Sequence, residues 1–150
     1  MARGSITHIA LTVRDLERST PFYDRVLKFV GYRSVEVPEA TQQAMKTRVK
    51  SWAGRGYSIS IRPSKGEFAN RAHDRYSAGI NHMAFAAESR EDVDKMHSML
   101  KEIGATILDA PADYPYSPGY YAVYFTDPDG LKFEFAHSPS YDRYRTEPDE

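Results

Sequence analysis

The sequence predicts an α+β protein made of two copies of one βαβββ module. Three observations carry that prediction: an internal repeat, strand alternation at the head of each copy, and a helical apolar stripe following it. ITHIALTVRDLERSTPFYDRVLKFVG (6–31) runs beside INHMAFAAESREDVDKMHSMLKEIG (80–104), placing Ile6, His8 and Ala10 on Ile80, His82 and Ala84. After the loss of one residue, Leu27, Lys28 and Gly31 fall on Leu100, Lys101 and Gly104. The copies also close alike, GYSISIRP (56–63) against GLKFEFAH (130–137). Three matched blocks in one order argue for duplication. The expected boundaries are 5–66 for module one, 67–78 for a polar linker, 79–138 for module two and 139–150 for a charged, Tyr-rich tail.

The elements follow in order. His8 to Val13 alternates, with Ile9, Leu11 and Val13 on one face and His8, Ala10 and Thr12 on the other, which reads as a strand. Leu16, Tyr23, Val26, Leu27 and Val30 then recur at helical spacing. Asp15 and Ser19 are the candidate N-caps, and Pro21 favours a regular helix starting near Ser19 with the proline in its first turn. Strands are expected at 32–37, 46–53 and 57–62. In the second copy Met83, Phe85 and Ala87 oppose His82, Ala84 and Ala86. Ser89 with Asp92 fits a capping box, Val93, Met96, Leu100 and Ile103 form the stripe, and Gly104 ends the helix. Strands at 106–108, 120–126 and 131–136 complete it, the last two joined by the strong turn sequence Asp127-Pro128-Asp129-Gly130.

Composition removes several function classes. The 150 residues are 41% hydrophobic and 27% charged, near globular averages, with a net charge of -1 that gives no general attraction to nucleic acid or anionic membrane. No run approaches the roughly 18 apolar residues of a membrane span, and residues 1–7 lack a signal-peptide core. With no cysteine there is no disulfide, zinc–thiolate site or thiol nucleophile. A cytoplasmic protein is expected.

Strand parity then selects candidate chemistry. If each helix covers the apolar face of its sheet, His8 and His82 point to the opposite, concave side, flanked by the small residues Ala10, Thr12, Ala84 and Ala86. In the last strand Leu131, Phe133 and Phe135 take the helix face, which turns Glu134 inward beside Lys132 and Ala136. Two imidazoles and a carboxylate make a 2-His-1-carboxylate set, suited to one divalent ion such as Fe, Mn, Zn or Ni with positions left for substrate. A single strand histidine is more often structural, so the weight rests on the repeat-equivalence of His8 and His82. His137 has the wrong parity, His73 lies in the linker and His97 flanks a helical stripe. Glu134 and Tyr124 are the candidate catalytic groups.

The segment PADYPYSPGYYAVYF (111–125) concentrates tyrosines ahead of an inward-facing strand. Tyr116, Tyr120 and Tyr121, with Trp52, are candidate substrate-binding residues; coverage of a dimer interface is an equal alternative for the tyrosines, and the core for Trp52.

The motifs THIALTVRDLERSTPFY with VLKFVG, INHMAF and YFTDPDGLKFEF together resemble the vicinal oxygen chelate superfamily, the group of glyoxalase I, extradiol dioxygenases, fosfomycin-resistance enzymes and bleomycin-resistance proteins. The resemblance spans 5–139. It implies paired modules curled into half-barrels around a divalent metal, substrates that chelate that metal through adjacent oxygens, and homodimers. It maps the metal positions onto His8, His82 and Glu134. The fourth position falls on Ser60, where glyoxalase I-like enzymes carry a carboxylate or amide. Tyr124, Asp127, Pro128, Gly130 and Glu134 match part of the dioxygenase signature, but its preceding histidine is replaced by Pro115, Tyr116 and Ser117. Ala10 stands where the fosfomycin branch often has a hydroxyl residue. The expected function is therefore a glyoxalase/dioxygenase-like metalloenzyme acting as lyase, isomerase, dioxygenase or transferase; the alternative is a metal-free protein that sequesters a drug.

Overall fold

A computed structural model describes residues 3–144, and the side chains through residue 141. Contacts divide the chain into two compact units, Met1–His73 and Asp74–Glu150. Each holds one four-stranded sheet, and the two sheets share one topology.

In the first unit the order is β1-β4-β3-β2, built from β1 (His8–Val13), β2 (Arg33–Val35), β3 (Lys50–Gly54) and β4 (Tyr57–Pro63). β1 runs parallel to β4 and the other pairs are antiparallel. In the second unit the order is β5-β8-β7-β6, from β5 (His82–Ala86), β6 (Thr106–Asp113), β7 (Tyr121–Thr126) and β8 (Lys132–His137), with β5 parallel to β8. This is the expected βαβββ module, twice. Among the described residues no helix is long and apolar enough to cross a membrane.

The helices sit where the apolar stripes demand. α1 (Leu16–Phe29) buries Leu16, Phe22, Tyr23, Val26 and Leu27 against its sheet. It begins a turn earlier than Pro21 suggested. Asp15 caps it by accepting from the Arg18 N–H at 3.1 Å, and Pro21 lies inside the helix. Thr20 donates its hydroxyl to the Leu16 carbonyl at 2.7 Å, a side-chain bond in the turn that the proline perturbs. α3 (Arg90–Glu102) buries Val93, Met96, Met99 and Leu100. Ser89 Oγ accepts from the Asp92 N–H at 3.2 Å, while the Asp92 carboxylate accepts from Glu88 N–H at 3.3 Å.

Two segments differ from expectation. A short helix, α2 (Glu39–Met45), precedes β3, and a turn follows it at residues 46–49 where strand was expected, so β3 starts only at Lys50. α2 buries no residue and therefore shows no apolar period; Pro38 opens it and Lys46 closes it in the left-handed region at φ 52°. Gln42 ties it down, donating to the Val37 carbonyl and accepting from the Val49 N–H at 2.9 Å. β6 runs on to Asp113 through two register shifts, and Pro111 is tolerated because β6 is an edge strand.

Candidate metal centre

Parity holds in both sheets. Leu11, Val13, Ile59 and Ile61 are buried on the helix side of the first sheet, as are Phe85, Phe133 and Phe135 in the second. On the concave side of the second sheet, β8 sets Glu134 opposite Ala84 of β5 and opposite Tyr124 of β7. Glu134 is only 3% exposed, the most enclosed charged side chain of that face.

The polar groups of module two converge on this carboxylate. Its Oε2 lies 3.3 Å from His82 Nε2. Its Oε1 accepts hydrogen bonds from the Tyr120 phenol and, at 3.1 Å, from the Tyr124 phenol. Burial, followed by the nearby carboxylate, drives both phenols well above the usual tyrosine pKa, so both remain donors across the accessible pH range. His82 Nδ1 is 2.8 Å from Asn81 Oδ1, an acceptor, which places a proton on Nδ1 and turns Nε2 towards Glu134. A nitrogen and a carboxylate oxygen at this separation can share a cation, or a proton, between them. Glu134 and His82 thus fit a divalent ion on donor chemistry alone.

Module one repeats half of this. His8 Nδ1 is 3.0 Å from Thr7 Oγ1, as His82 is tied to Asn81, and in both cases the partner is the preceding residue. The register also fixes what faces what: Ala10 pairs Ser60 in β1–β4, as Ala84 pairs Glu134 in β5–β8. Ser60 is thus the structural counterpart of Glu134, and module one has no carboxylate there. Among the described residues no three His, Asp or Glu side chains form one ligating group.

The tyrosine segment is divided by parity. Tyr114 and Tyr116 stack at 5.4 Å, with Tyr114 edge-on to Tyr124 at 5.2 Å and Tyr116 edge-on to Tyr120 at 5.3 Å. The aromatic layer therefore backs Glu134, with Tyr116 61% exposed at its rim. Two candidate substrate residues lie elsewhere. Tyr121 faces α3, donating to Asp94 at 2.8 Å beneath the Arg90 guanidinium. Trp52 is 1% exposed, stacks on Tyr23 and donates Nε1–H to Asp24 of α1 at 2.7 Å, so it belongs to the core of module one. Alternation puts both on the helix side of their sheets, and for Trp52 it is the core alternative that fits. Sequence reasoning passed over Thr7 and Asn81; the signal was a hydrogen-bonding residue directly before each repeat histidine.

The family profile described as Glyoxalase/Bleomycin resistance protein/Dioxygenase superfamily matches residues 5–135. The chain belongs to this superfamily. The uncharacterized protein YqjT of Bacillus subtilis is 34% identical over 129 residues, covering 85% of this chain and 94% of that one. The metallothiol transferase FosB of Lysinibacillus sphaericus is 30% identical over 143 residues, covering 95% and 89%. Among solved structures, a candidate glyoxalase from Bacillus halodurans superposes with a TM-score of 0.77 at 30% identity, covering 91% of this chain and 97% of that one. Membership in the superfamily agrees with the two-module topology described above.

Proposed function

We propose that the protein is a divalent-metal enzyme whose ion is held by His8, His82 and Glu134, and whose small organic substrate binds that ion through adjacent oxygens. The observation that carries this reading is the His82 Nε2–Glu134 Oε2 pair at 3.3 Å, with the imidazole proton on the far nitrogen. His8 completes the set by its equivalent place in the repeat and its matching Nδ1 contact. When bound, the ion would supply Lewis acidity towards the substrate oxygens. The chain's own residues do the rest. Thr7 and Asn81 hold the imidazoles in one orientation. Tyr120 and Tyr124 fix the carboxylate and remain proton donors beside it. The tyrosine layer excludes water from its rear.

Among the reactions open to such a centre, group transfer has the support of the FosB relative, whose name is that of a metallothiol transferase. Ser60 in place of a fourth ligand counts against a glyoxalase I-type site. A homodimer is proposed as the assembly. The second reading is a metal-free binding protein, in which a proton rather than a metal stands between His82 and Glu134.

Metal content of the full chain, reconstituted separately with Fe(II), Mn(II), Zn(II) and Ni(II), decides between them. The expected result is about one ion per chain in wild type, with loss of at least tenfold in affinity for His82→Ala and Glu134→Gln. Folded wild-type protein that takes up no ion would favour the metal-free reading, and variants that bind as well as wild type would overturn the proposed ligand set.

A further inference from the structure

The concave face of module one carries a second feature, which the histidine chemistry does not use. Thr12 lies on the same strand face as His8, roughly 13 Å further along β1 at about 3.3 Å per residue. It pairs Arg62 on β4, and beyond that pair opens a cleft of about 410 Å³. Its lining includes the polar residues Thr12, Arg62, Ser64 and Lys65 and the apolar Met45 and Phe68. No acidic residue is among its lining residues.

Two polar atoms there are buried without a protein partner, Arg62 Nε and Ser64 Oγ. Buried donors are almost always paired, and leaving the Arg62 Nε–H and the Ser64 hydroxyl unpaired costs free energy that a ligand's acceptors would recover. The fork geometry of arginine matches two oxygens of a carboxylate or phosphoryl group. Lys65, whose ammonium reaches the Lys46 carbonyl at 3.2 Å, adds a second positive charge at the rim. In the same cleft Met45 is 38% and Phe68 57% exposed, more than apolar side chains of a closed core show. Phe68 also has the Arg71 guanidinium 5.3 Å from its ring centroid, and a bare inorganic ion would leave Met45 and the remaining Phe68 surface exposed.

We infer that this cleft is a binding subsite for an organic oxyanion, a phosphoryl or carboxylate group on a short apolar body. Arg62, Ser64 and Thr12 take the anion's oxygens, Lys65 adds charge, and Met45 with Phe68 covers the body. The inference does not depend on the metal reading, because every group in it belongs to the first compact unit and none is a proposed ligand.

Titration calorimetry on the full chain tests it, using phenyl phosphate, phenylacetate, inorganic phosphate and benzyl alcohol as probes. The expected result is saturable one-to-one binding of phenyl phosphate or phenylacetate, the tighter of the two naming the anion. Inorganic phosphate and benzyl alcohol should each bind at least tenfold more weakly. Arg62→Gln and Lys65→Gln should each weaken the anion at least tenfold, and His82→Ala should leave it within twofold. Lys65 is exposed, so its variant keeps the test open should Arg62→Gln fail to fold. The inference is overturned if neither aromatic anion binds, or if benzyl alcohol binds equally well. It is equally overturned if His82→Ala removes the binding while Lys65→Gln does not, since the anion would then sit on the metal centre.

Discussion

Tyr120 donates its phenol to the buried Glu134 carboxylate, and thereby leaves Glu134 Oε2 turned to His82. Groups that orient a metal ligand commonly matter as much as the ligand's own packing. If Glu134 holds the proposed ion, Tyr120→Phe should weaken metal binding by about 10- to 100-fold with the fold intact, as read by competition with a fluorescent chelator. An unchanged affinity would show that Tyr124 alone suffices to hold the carboxylate. Trp52 makes the opposite kind of contribution. Its indole bond to Asp24 knits β3 to α1, so Trp52→Phe should lower stability by about 1–3 kcal/mol in urea unfolding and leave metal uptake unchanged.

Elements that bury a face were legible in the sequence; those that do not were hidden. The β1 and β5 strands, both long helices and the inward turn of Glu134 follow from alternation and stripe, because each sheet has one apolar side. α2 buries nothing and so left no periodic trace, and the two register shifts of β6 depend on its edge position, which no local pattern records. Parity was also the rule that would have moved Tyr121 and Trp52 out of the site. The contacts of Thr7 and Asn81 needed side-chain geometry, and so did the cleft around Arg62. At this scale the Asp127–Gly130 turn gives the clearest prediction. The Asp127 carboxylate is buried and accepts from the Asp129 and Leu131 N–H groups at 2.9 and 2.8 Å. Asp127→Ala leaves two buried donors unpaired, at a cost of about 2 kcal/mol or more. Because the turn launches β8, chemical denaturation and metal affinity should fall together; a loss of stability alone would separate the turn from Glu134.

At the scale of the whole molecule, duplication has produced two sheets of one topology with different endowments. Module two keeps the histidine–carboxylate pair and its tyrosine backing. Module one keeps a histidine, has Ser60 in place of the carboxylate, and adds a basic cleft. If the metal reading holds, an ion present at about 100 times its dissociation constant stabilises the fold by about 2.7 kcal/mol. For a chain of this length that corresponds to a rise of roughly 5–10 °C in Tm. Calorimetric scans with and without a chelator should show the rise in wild type and not in His82→Ala; an equal rise in both would locate the ion elsewhere. The halves also differ in their optical labels. The chain's single tryptophan is sealed in the core of module one, whereas the close-packed rings of Tyr114, Tyr116, Tyr120 and Tyr124 belong to module two. Indole fluorescence thus watches one half of the duplication and the near-ultraviolet signal of the phenols is weighted to the other. Without any added dye, the protein can report whether its two ancestral copies still melt as one.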